Sequence, residues 1–265
     1  MSIHSGFLGI FLAACLWLNP TFAVAVPALN VYVGQGQMPF ADDQNGDHGM
    51  FGELMQAMCE RLQRDCHFMV VPWKRVQADI ARDPHGILLN LGRMPEREAN
   101  FTWLLEVLPV TYVLASEGRS YDSLAAALEA GPIAVMGGTP RSLQLQSIKQ
   151  PGQSVVELTD PKQAARMLRS GRILTWYEIN ARVSYLWREL GYSPEILRFS
   201  PPLSSTYTYI AGSPILANAQ NIQVQMRQAF ADMQADGSWK RILGRYLDDA
   251  TVENLLEQHR SGALR

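Results

Sequence analysis

The residues best suited to binding a ligand are arginines and aromatic side chains at the ends of predicted strands. Arg97 is the first candidate, because Pro95 marks a helix start and places Arg97 in the first turn. There its guanidinium can hold a carboxylate through two hydrogen bonds, while the helix N–H groups favour the same negative charge. The alternative is an arginine that only pairs with Glu96 or Glu53. Arg93 either shares the role of Arg97 or is solvated.

Three further sites carry suitable groups. Trp73 follows a strand and a proline, so its ring forms either a wall of a ligand cleft or part of the core. Gly138 and Thr139 precede a helix, where N–H groups and a hydroxyl make either a small anion site or an ordinary N-cap. At the end of a strand predicted over 172–176, a carboxylate could hold a ligand ammonium; the residues there are Trp176, Tyr177 and Glu178.

Motifs for metal, nucleotide or hydrolytic chemistry are missing from the sequence. The five histidines are scattered, and neither they nor the cysteines have the spacing of a zinc site. There is no G-x-S-x-G elbow and no Walker A motif, and Gly34-x-Gly36 lacks the third glycine of a dinucleotide fingerprint. We therefore predict no metal, no cofactor and no catalytic residue.

The composition is that of an ordinary globular protein. Of 265 residues, 47% are hydrophobic, and 23 basic against 25 acidic residues give a net charge of −2. No basic stripe is present that could neutralise a run of phosphates, so a nucleic-acid-binding function is excluded. The length fits one large domain or two lobes.

The N-terminal segment predicts export. Residues 1–25 contain no Asp, Glu, Lys or Arg, and an apolar run over 7–18 precedes small residues at 23–25. This pattern indicates a signal peptide cleaved after Ala25; the alternative is a lipid on Cys15, because the four residues ending there resemble a lipobox. The apolar run is shorter than the ~20 residues of a membrane span.

Export places the mature chain where disulfides persist, and two cysteines remain in it. Cys59 lies late in an amphipathic helical pattern over 50–62, and Cys66 opens an apolar run over 66–71. Because a helix that turns into a strand so soon can bring the two close, we predict a Cys59–Cys66 disulfide. Two buried free thiols are the alternative.

Strands and helices alternate along the chain, which predicts an α/β sandwich with parallel pairing. The predicted strands cover 28–33, 66–71, 87–91, 133–136, 154–158, 172–176, 196–199 and 207–211. The predicted helices cover 50–62, 75–81, 123–129, 141–148, 161–169, 181–190, 218–234 and 238–247. No long linker separates the two α/β units, so we expect two crossing segments between them and a ligand in the cleft.

Taken together, these segments resemble the periplasmic solute-binding proteins of the polar amino acid type, solute-binding protein family 3. The resemblance covers nearly the whole mature chain, with the two cysteines at the spacing of a disulfide found in basic amino acid binders. Its anchors are residues 38–40, 49–62, 94–97, 133–139, 171–172 and 236–237 with Tyr246.

The resemblance implies an α/β periplasmic binding protein type II fold, a two-lobed Venus-flytrap clamp with hinge strands near Val110 and Ser204. Lobe one then comprises 26–110 and 203–265, and lobe two comprises 111–202. A protein of this kind is a periplasmic monomer that is not an enzyme. It captures a small solute and delivers it to an inner-membrane ABC permease.

The resemblance also implies that Arg97 takes the ligand carboxylate and that Trp73 stacks on the ligand. Several positions depart from the pattern of amino acid binders: Met94 replaces a threonine, Gln37 an aromatic lid residue, Gly34 the acid that holds a basic side chain, and Ile179, beside Glu178, the amine-binding aspartate. The predicted solute is thus small and carboxylated, with its identity open. The predicted ligand-binding residues are Arg97, Trp73, Thr139, Glu178, Arg93, Gln37, Phe40, Asn90, Trp176 and Tyr177.

Two other functions fit the same scaffold. An exported enzyme similar to cyclohexadienyl dehydratases would use a cleft carboxylate such as Glu178 as general acid. A sensory protein would bind its solute and signal to a membrane receptor without transport.

Overall fold

The computed structural model describes residues 26–42 and 48–261. The predicted signal peptide, its cleavage after Ala25 and the alternative lipid on Cys15 lie outside the described residues. Within the described ranges the strands are β1 (Leu29–Gly34), β2 (Cys66–Val71), β3 (Gly86–Gly92), β4 (Thr102–Glu117), β5 (Ile133–Met136), β6 (Val155–Leu158), β7 (Thr175–Ile179), β8 (Leu197–Phe199) and β9 (Ser204–Gly212). The α-helices are α1 (Gly49–Arg61), α2 (Trp73–Ile80), α3 (Leu124–Ala130), α4 (Pro140–Ile148), α5 (Pro161–Arg169), α6 (Asn180–Glu189), α7 (Ala219–Ala235), α8 (Ser238–Gly244) and α9 (Asp249–Ser261). Short 3-10 helices cover Pro95–Asn100 and Pro194–Ile196.

The strands pair in the order β2-β1-β3-β9-β4-β7-β5-β6, with β8 also paired to β4. β1 is parallel to β2 and β3, and β5 is parallel to β6 and β7. β9 and β4 are antiparallel to each other and to their outer neighbours. Two parallel α/β units are thus joined through two long antiparallel strands, and the predicted α/β class is confirmed.

β4 and β9 are the segments that run between the two units. Residues 102–112 of β4 pair with β9, whereas residues 112–115 pair with β7 and residues 115–117 with β8. Two register shifts interrupt the β4–β9 ladder between Trp103 and Leu108. Such bulges bend a strand and increase its twist, which lets β4 serve both units. The boundaries near Val110 and Ser204 stay a prediction.

Alternation along β1 explains how the first unit is covered on both faces. Val31 and Val33 point toward the largest apolar cluster, which includes α1, α7 and α8. Tyr32 points the other way, into a cluster with Trp73 and Val76 of α2. A third cluster in the second unit packs α5 and α6 against β7. Both faces of the inner parallel strands β1, β3, β5 and β7 are therefore buried, whereas β2 and β6 at the sheet edges are partly exposed.

The start of β7 differs from the sequence prediction. Residues before Thr175 form a turn in which the Leu174 N–H donates to the Pro132 carbonyl, and pairing with β5 begins only at Thr175. The strand therefore runs to Ile179 and not from 172 to 176. As a correction, Trp176, Tyr177 and Glu178 lie inside a strand and not beyond its end; they are completely buried.

The predicted pairing of Cys59 with Cys66 is confirmed. Cys59 lies in the last turn of α1 and Cys66 is the first residue of β2, with 6.3 Å between their Cα atoms. The disulfide ties this helix end to the sheet edge. Of the helices in the described ranges, none has the length and apolar character of a membrane span.

Candidate functional site

The loop after β1 is held in place by the start of α1. The first two N–H groups after Gly49 donate to the carbonyl oxygens of Pro39 and Phe40, at 2.8 and 2.6 Å. Gly49 has a φ of +67°, and a Cβ there would lie 2.9 Å from the Phe40 backbone. Only glycine fits this position, which fixes the loop that carries Gln37 and Phe40.

A small cavity brings together side chains from both α/β units. Five of the predicted ligand-binding residues line it: Gln37, Trp73, Asn90, Arg97 and Thr139. The other side chains in its lining come mainly from β4, α4, the end of β7 and α6: Tyr112, Pro140, Arg141, Ile179, Arg182 and Thr208. Its volume is about 30 Å³, which is roughly the space of one water molecule. In this arrangement the cavity is therefore too small for an amino-acid-sized solute.

Arg97 lies where the two units meet, and its side chain is buried. Its Nη1 donates to the Gly92 carbonyl at 2.9 Å, and its Nη2 donates to the Gly138 carbonyl of the second unit at 3.3 Å. Among the described residues no carboxylate forms an ion pair with it, so the predicted alternative of a structural pair is not what holds this side chain. Burial lowers the pKa of Arg97.

Trp73 forms one side of the cavity and packs against the end of β1. Its Nε1 donates to the same Gly138 carbonyl at 3.3 Å, so both Trp73 and Arg97 reach across to one oxygen. A Cβ at Gly34 would lie 2.5 Å from Trp73 Cε3. Gly34 is therefore the residue that lets the indole lie against the strand.

Thr139 is the N-cap of α4. Its hydroxyl donates to the Met136 carbonyl at 2.6 Å and accepts from the Ser142 N–H at 3.3 Å. The N-cap alternative is thus present in the structure, and it keeps Thr139 at the cavity wall. Gly138, with a φ of +73°, makes the turn that aims its carbonyl at Arg97.

Gln37 and Asn90 supply amide groups to the cavity. The Gln37 Oε1 accepts from Arg182 at 2.9 Å, and its Nε2 lies 3.3 Å from the Met136 sulfur. Asn90 has a left-handed backbone with a φ of +57°, and its Oδ1 has no hydrogen-bond partner in the described part of the chain. An unpaired acceptor in a buried position is available to a ligand.

A buried ion cluster lies behind the cavity. Glu178 Oε1 accepts from Arg141 at 2.6 Å, from Arg182 at 3.3 Å and from the Ile179 N–H at 2.8 Å. Arg182 also donates to the Met38 carbonyl, which ties α6 to the loop after β1. Burial lowers the pKa of Arg182. Glu178 itself does not line the cavity, because the two guanidinium groups cover it.

The sequence analysis missed Arg141 and Arg182. Arg141 follows the Thr139 N-cap by two residues, and Arg182 lies in the first turn of α6, four residues after Glu178. Because Glu178 lies in strand β7, the helical i, i+4 rule does not apply to this pair, and the sequence carried no clear signal for it.

Other predicted site residues lie outside the cavity lining. Phe40 is completely buried with its ring 5.0 Å from the Arg182 guanidinium carbon. Trp176 is in the core of the second unit, and the Tyr177 hydroxyl donates to Gln144 at 2.7 Å. Arg93 is at the surface, where it pairs with Glu98 at 2.7 Å and stacks on Trp103.

A larger cavity of about 570 Å³ lies on the other side of Trp73. Its walls come from the loop after β1, from Pro72 and from residues of the second α/β unit in and near α5 and α6, among them Lys162 and Tyr185. Within the described residues, no cluster of three or more His, Cys, Asp or Glu side chains could hold a metal ion.

Solved structures share this architecture. An ABC uptake transporter substrate binding protein from Streptococcus pneumoniae, solved with bound histidine, superposes with a TM-score of 0.72, at 11% identity over 84% of this chain and 93% of that one. A histidine kinase sensor domain with similarity to periplasmic binding proteins gives 0.72, at 15% identity over 83% and 96%. The chain has the two-lobed fold of periplasmic binding proteins. The predicted fold class is confirmed.

A third structure of this periplasmic binding protein fold is an ancestral amino acid-binding protein described as a precursor of cyclohexadienyl dehydratase. Its TM-score is 0.70, at 14% identity over 83% of this chain and 95% of that one. These neighbours agree with the resemblance to solute-binding protein family 3 that the sequence predicts. No protein-family model and no curated protein sequence matches the chain.

Proposed function

We propose that the chain is an exported solute-binding protein that closes its two lobes on a small carboxylated, amino-acid-like solute. It is a periplasmic monomer that loses residues 1–25 and delivers the solute to an inner-membrane ABC permease. Lobe one comprises 26–110 and 203–265, and lobe two comprises 111–202. The neighbours that bind amino acids, by their own descriptions, support this class of ligand.

Arg97 is the observation that carries the proposal. Among the residues that the structure describes, its buried guanidinium donates only to neutral carbonyl oxygens, one from each lobe, at Gly92 and Gly138. A solute carboxylate that takes the place of the Gly138 oxygen would gain two charge-assisted hydrogen bonds. The same solute would contact Trp73 of lobe one and Thr139 of lobe two. It would therefore connect the two lobes in place of the contacts that Gly138 makes without a solute.

Calorimetry on two arginine variants tests this role. Arg97→Ala should weaken binding of the carboxylated solute by roughly 100-fold or more, since a buried charged partner is lost. Arg93→Ala is the matched control, because this exposed arginine pairs with Glu98, lies over the rings of Trp103 and Tyr209, and does not line the small cavity. The affinity of the Arg93→Ala protein for the solute should change by less than about threefold. Unchanged affinity in a folded Arg97→Ala protein would refute the assignment.

The enzyme alternative has less support from the geometry. Glu178, its general acid, is covered by Arg141 and Arg182 and is not in the cavity wall. Turnover of prephenate or arogenate by the mature chain would establish the enzyme. The sensor alternative has a sensor-domain neighbour; loss of solute uptake on deletion of this chain would favour transport over sensing.

A further inference from the structure

The wall of the small cavity is unbalanced in charge. Three guanidinium groups line it, those of Arg97, Arg141 and Arg182, and its described lining contains no Asp or Glu. Each of these arginines is at most 8% exposed. The nearest carboxylate in the described structure that pairs with any of them is Glu178, which serves both Arg141 and Arg182. The buried group therefore holds two more positive than negative charges.

Such an excess is costly in a site that excludes water. A buried charge without a counter-charge is unfavourable by several kcal/mol in general, and the cost falls when an opposite charge with good hydrogen bonds joins it. Burial lowers the pKa of both Arg97 and Arg182; the charge of Glu96, outside the cavity wall, partly offsets this at Arg97, whereas the charge of Arg141 adds to it at Arg182. A neutral zwitterionic ligand would not reduce this excess of positive charge.

The buried hydrogen-bonding groups without a partner also favour a negatively charged ligand. Arg141 is 3% exposed, and its Nε has no partner in the described structure. This buried cationic donor can therefore donate a hydrogen bond to a ligand. Glu178 Oε2 is also without a partner among the described residues, but it lies behind the guanidinium groups and outside the cavity wall. A ligand ammonium entering the cavity would meet arginines first. The Asn90 Oδ1 remains for a hydroxyl donor.

We propose that the preferred solute is a small dianion without an amino group, held at one end by Arg97 and at the other by Arg141. This rests on the proposed solute-binding function, and it replaces the amino-acid-like solute with one that lacks the amine. Its two negative charges balance the arginine excess. Two carboxylates or one phosphate would supply the same charge, and Arg182 stays bound to Glu178 and to the loop after β1.

Matched ligand pairs that differ only by an amine test the proposal on the mature wild-type chain. Calorimetry would compare succinate with L-aspartate and glutarate with L-glutamate, and methyl phosphate would show whether one phosphate can replace the two carboxylates. L-alanine and propionate serve as references with one carboxylate. We expect each dicarboxylate to bind at least about tenfold more tightly than its amine-bearing counterpart and than the references. Tighter binding of methyl phosphate than of either dicarboxylate would identify a phosphate as the dianion.

The outcomes separate this inference from the function itself. Tighter binding of L-aspartate, L-glutamate or L-alanine would overturn the dianion and leave a solute-binding protein in place. An absence of binding for every carboxylated or phosphorylated probe would overturn both.

Arg141→Gln provides a second readout. We expect it to lower dianion affinity by about tenfold or more while propionate affinity changes less than about threefold, because propionate needs only Arg97. Arg141→Lys keeps the charge and should retain the preference for the dianion. An Arg141→Gln protein that is folded by circular dichroism and binds the dianion as wild type would contradict the role of Arg141.

Discussion

The three cavity arginines differ in how many of their hydrogen-bond donors are bonded to neighbouring residues. Arg182 donates to Gln37, to the Met38 carbonyl and to Glu178, so it holds the loop after β1 in place. Among the described residues, Arg97 donates only to two carbonyl oxygens, and Arg141 pairs with Glu178 but has an Nε without a partner. In the proposed function, Arg182 therefore positions the loop, whereas Arg97 and Arg141 bind the solute.

Gly34 gives a prediction at the residue scale. Gly34→Ala places a methyl group 2.5 Å from Trp73 Cε3, so the indole must shift and lose its bond to Gly138. We expect a loss of about 1 to 3 kcal/mol in unfolding free energy, measured in urea, because overpacking strains the site. Solute affinity should fall roughly tenfold, which corresponds to about 1.4 kcal/mol.

Gly244→Ala is the matched control for that change. A Cβ there meets nothing within 4 Å, and alanine is favoured over glycine in a helix. Equal stability and affinity for Gly34→Ala and wild type would contradict the contact between Gly34 and Trp73.

The sequence predicted the cavity residues that lie close to a proline or a glycine, because these residues mark the ends of helices and strands. Pro95 indicated Arg97, Pro72 preceded Trp73, and a glycine pair preceded Thr139. Arg182 could not be predicted as a buried residue, because its burial depends on Gln37, which lies 145 positions away in the chain. A charged residue on a predicted helix is otherwise expected in solvent.

At the scale of elements, short strands and helices with clear ends were predicted well, and β4 was missed. β2, β5 and α5 have the predicted bounds. β4 contains Pro109 and is buried along both faces for much of its length, so it shows neither a proline-free run nor an alternating pattern. Its strand structure comes from pairing with β9, a segment about 100 residues later.

The disulfide gives a prediction at the element scale. Replacement of both Cys59 and Cys66 with serine should lower the unfolding free energy by about 2 to 3 kcal/mol, because a loop of this length restricts the unfolded chain by that amount. Urea unfolding measures the loss. Dithiothreitol should lower the wild-type midpoint and leave the double variant unchanged; equal midpoints for both proteins without reductant would contradict a stabilising bond.

Tyr32 links β1 to the turn before β3 and predicts a dependence on alkaline pH. Its hydroxyl donates to Asp83 at 3.0 Å, and burial together with this bond raises the pKa of Tyr32 to about 12. In the unfolded chain a tyrosine titrates near 10, so the protonated hydroxyl stabilises the fold fully below about pH 10. This contribution is lost as the pH rises through about 12.

Tyr32→Phe tests this assignment. Its unfolding free energy at about pH 8 should be lower than that of wild type by roughly 1 to 2 kcal/mol, and the difference should shrink between about pH 10 and 12. Denaturant titrations at a series of pH values measure both quantities. A difference that stays constant over that range would show that Asp83 does not hold the Tyr32 proton.

At the scale of the whole molecule, two α/β units share two long strands, and the groups suited to a ligand meet where the units touch. In this arrangement the cavity has room for about one water molecule, and the Gly138 carbonyl accepts from Arg97 and Trp73 across the cleft. In the proposed function the lobes open before the solute enters, and its carboxylate then takes over these contacts.

Thermal unfolding of the mature chain, residues 26–265, against amino acids, small peptides, polyamines and organic acids tests the central claim most directly. A carboxylated solute at ~100 times its Kd should stabilise the fold by about 2.7 kcal/mol and raise the midpoint by about 5 to 10 °C. The shift should disappear in Arg97→Ala. A panel with no shift, or a shift that is the same in Arg97→Ala, would contradict the account.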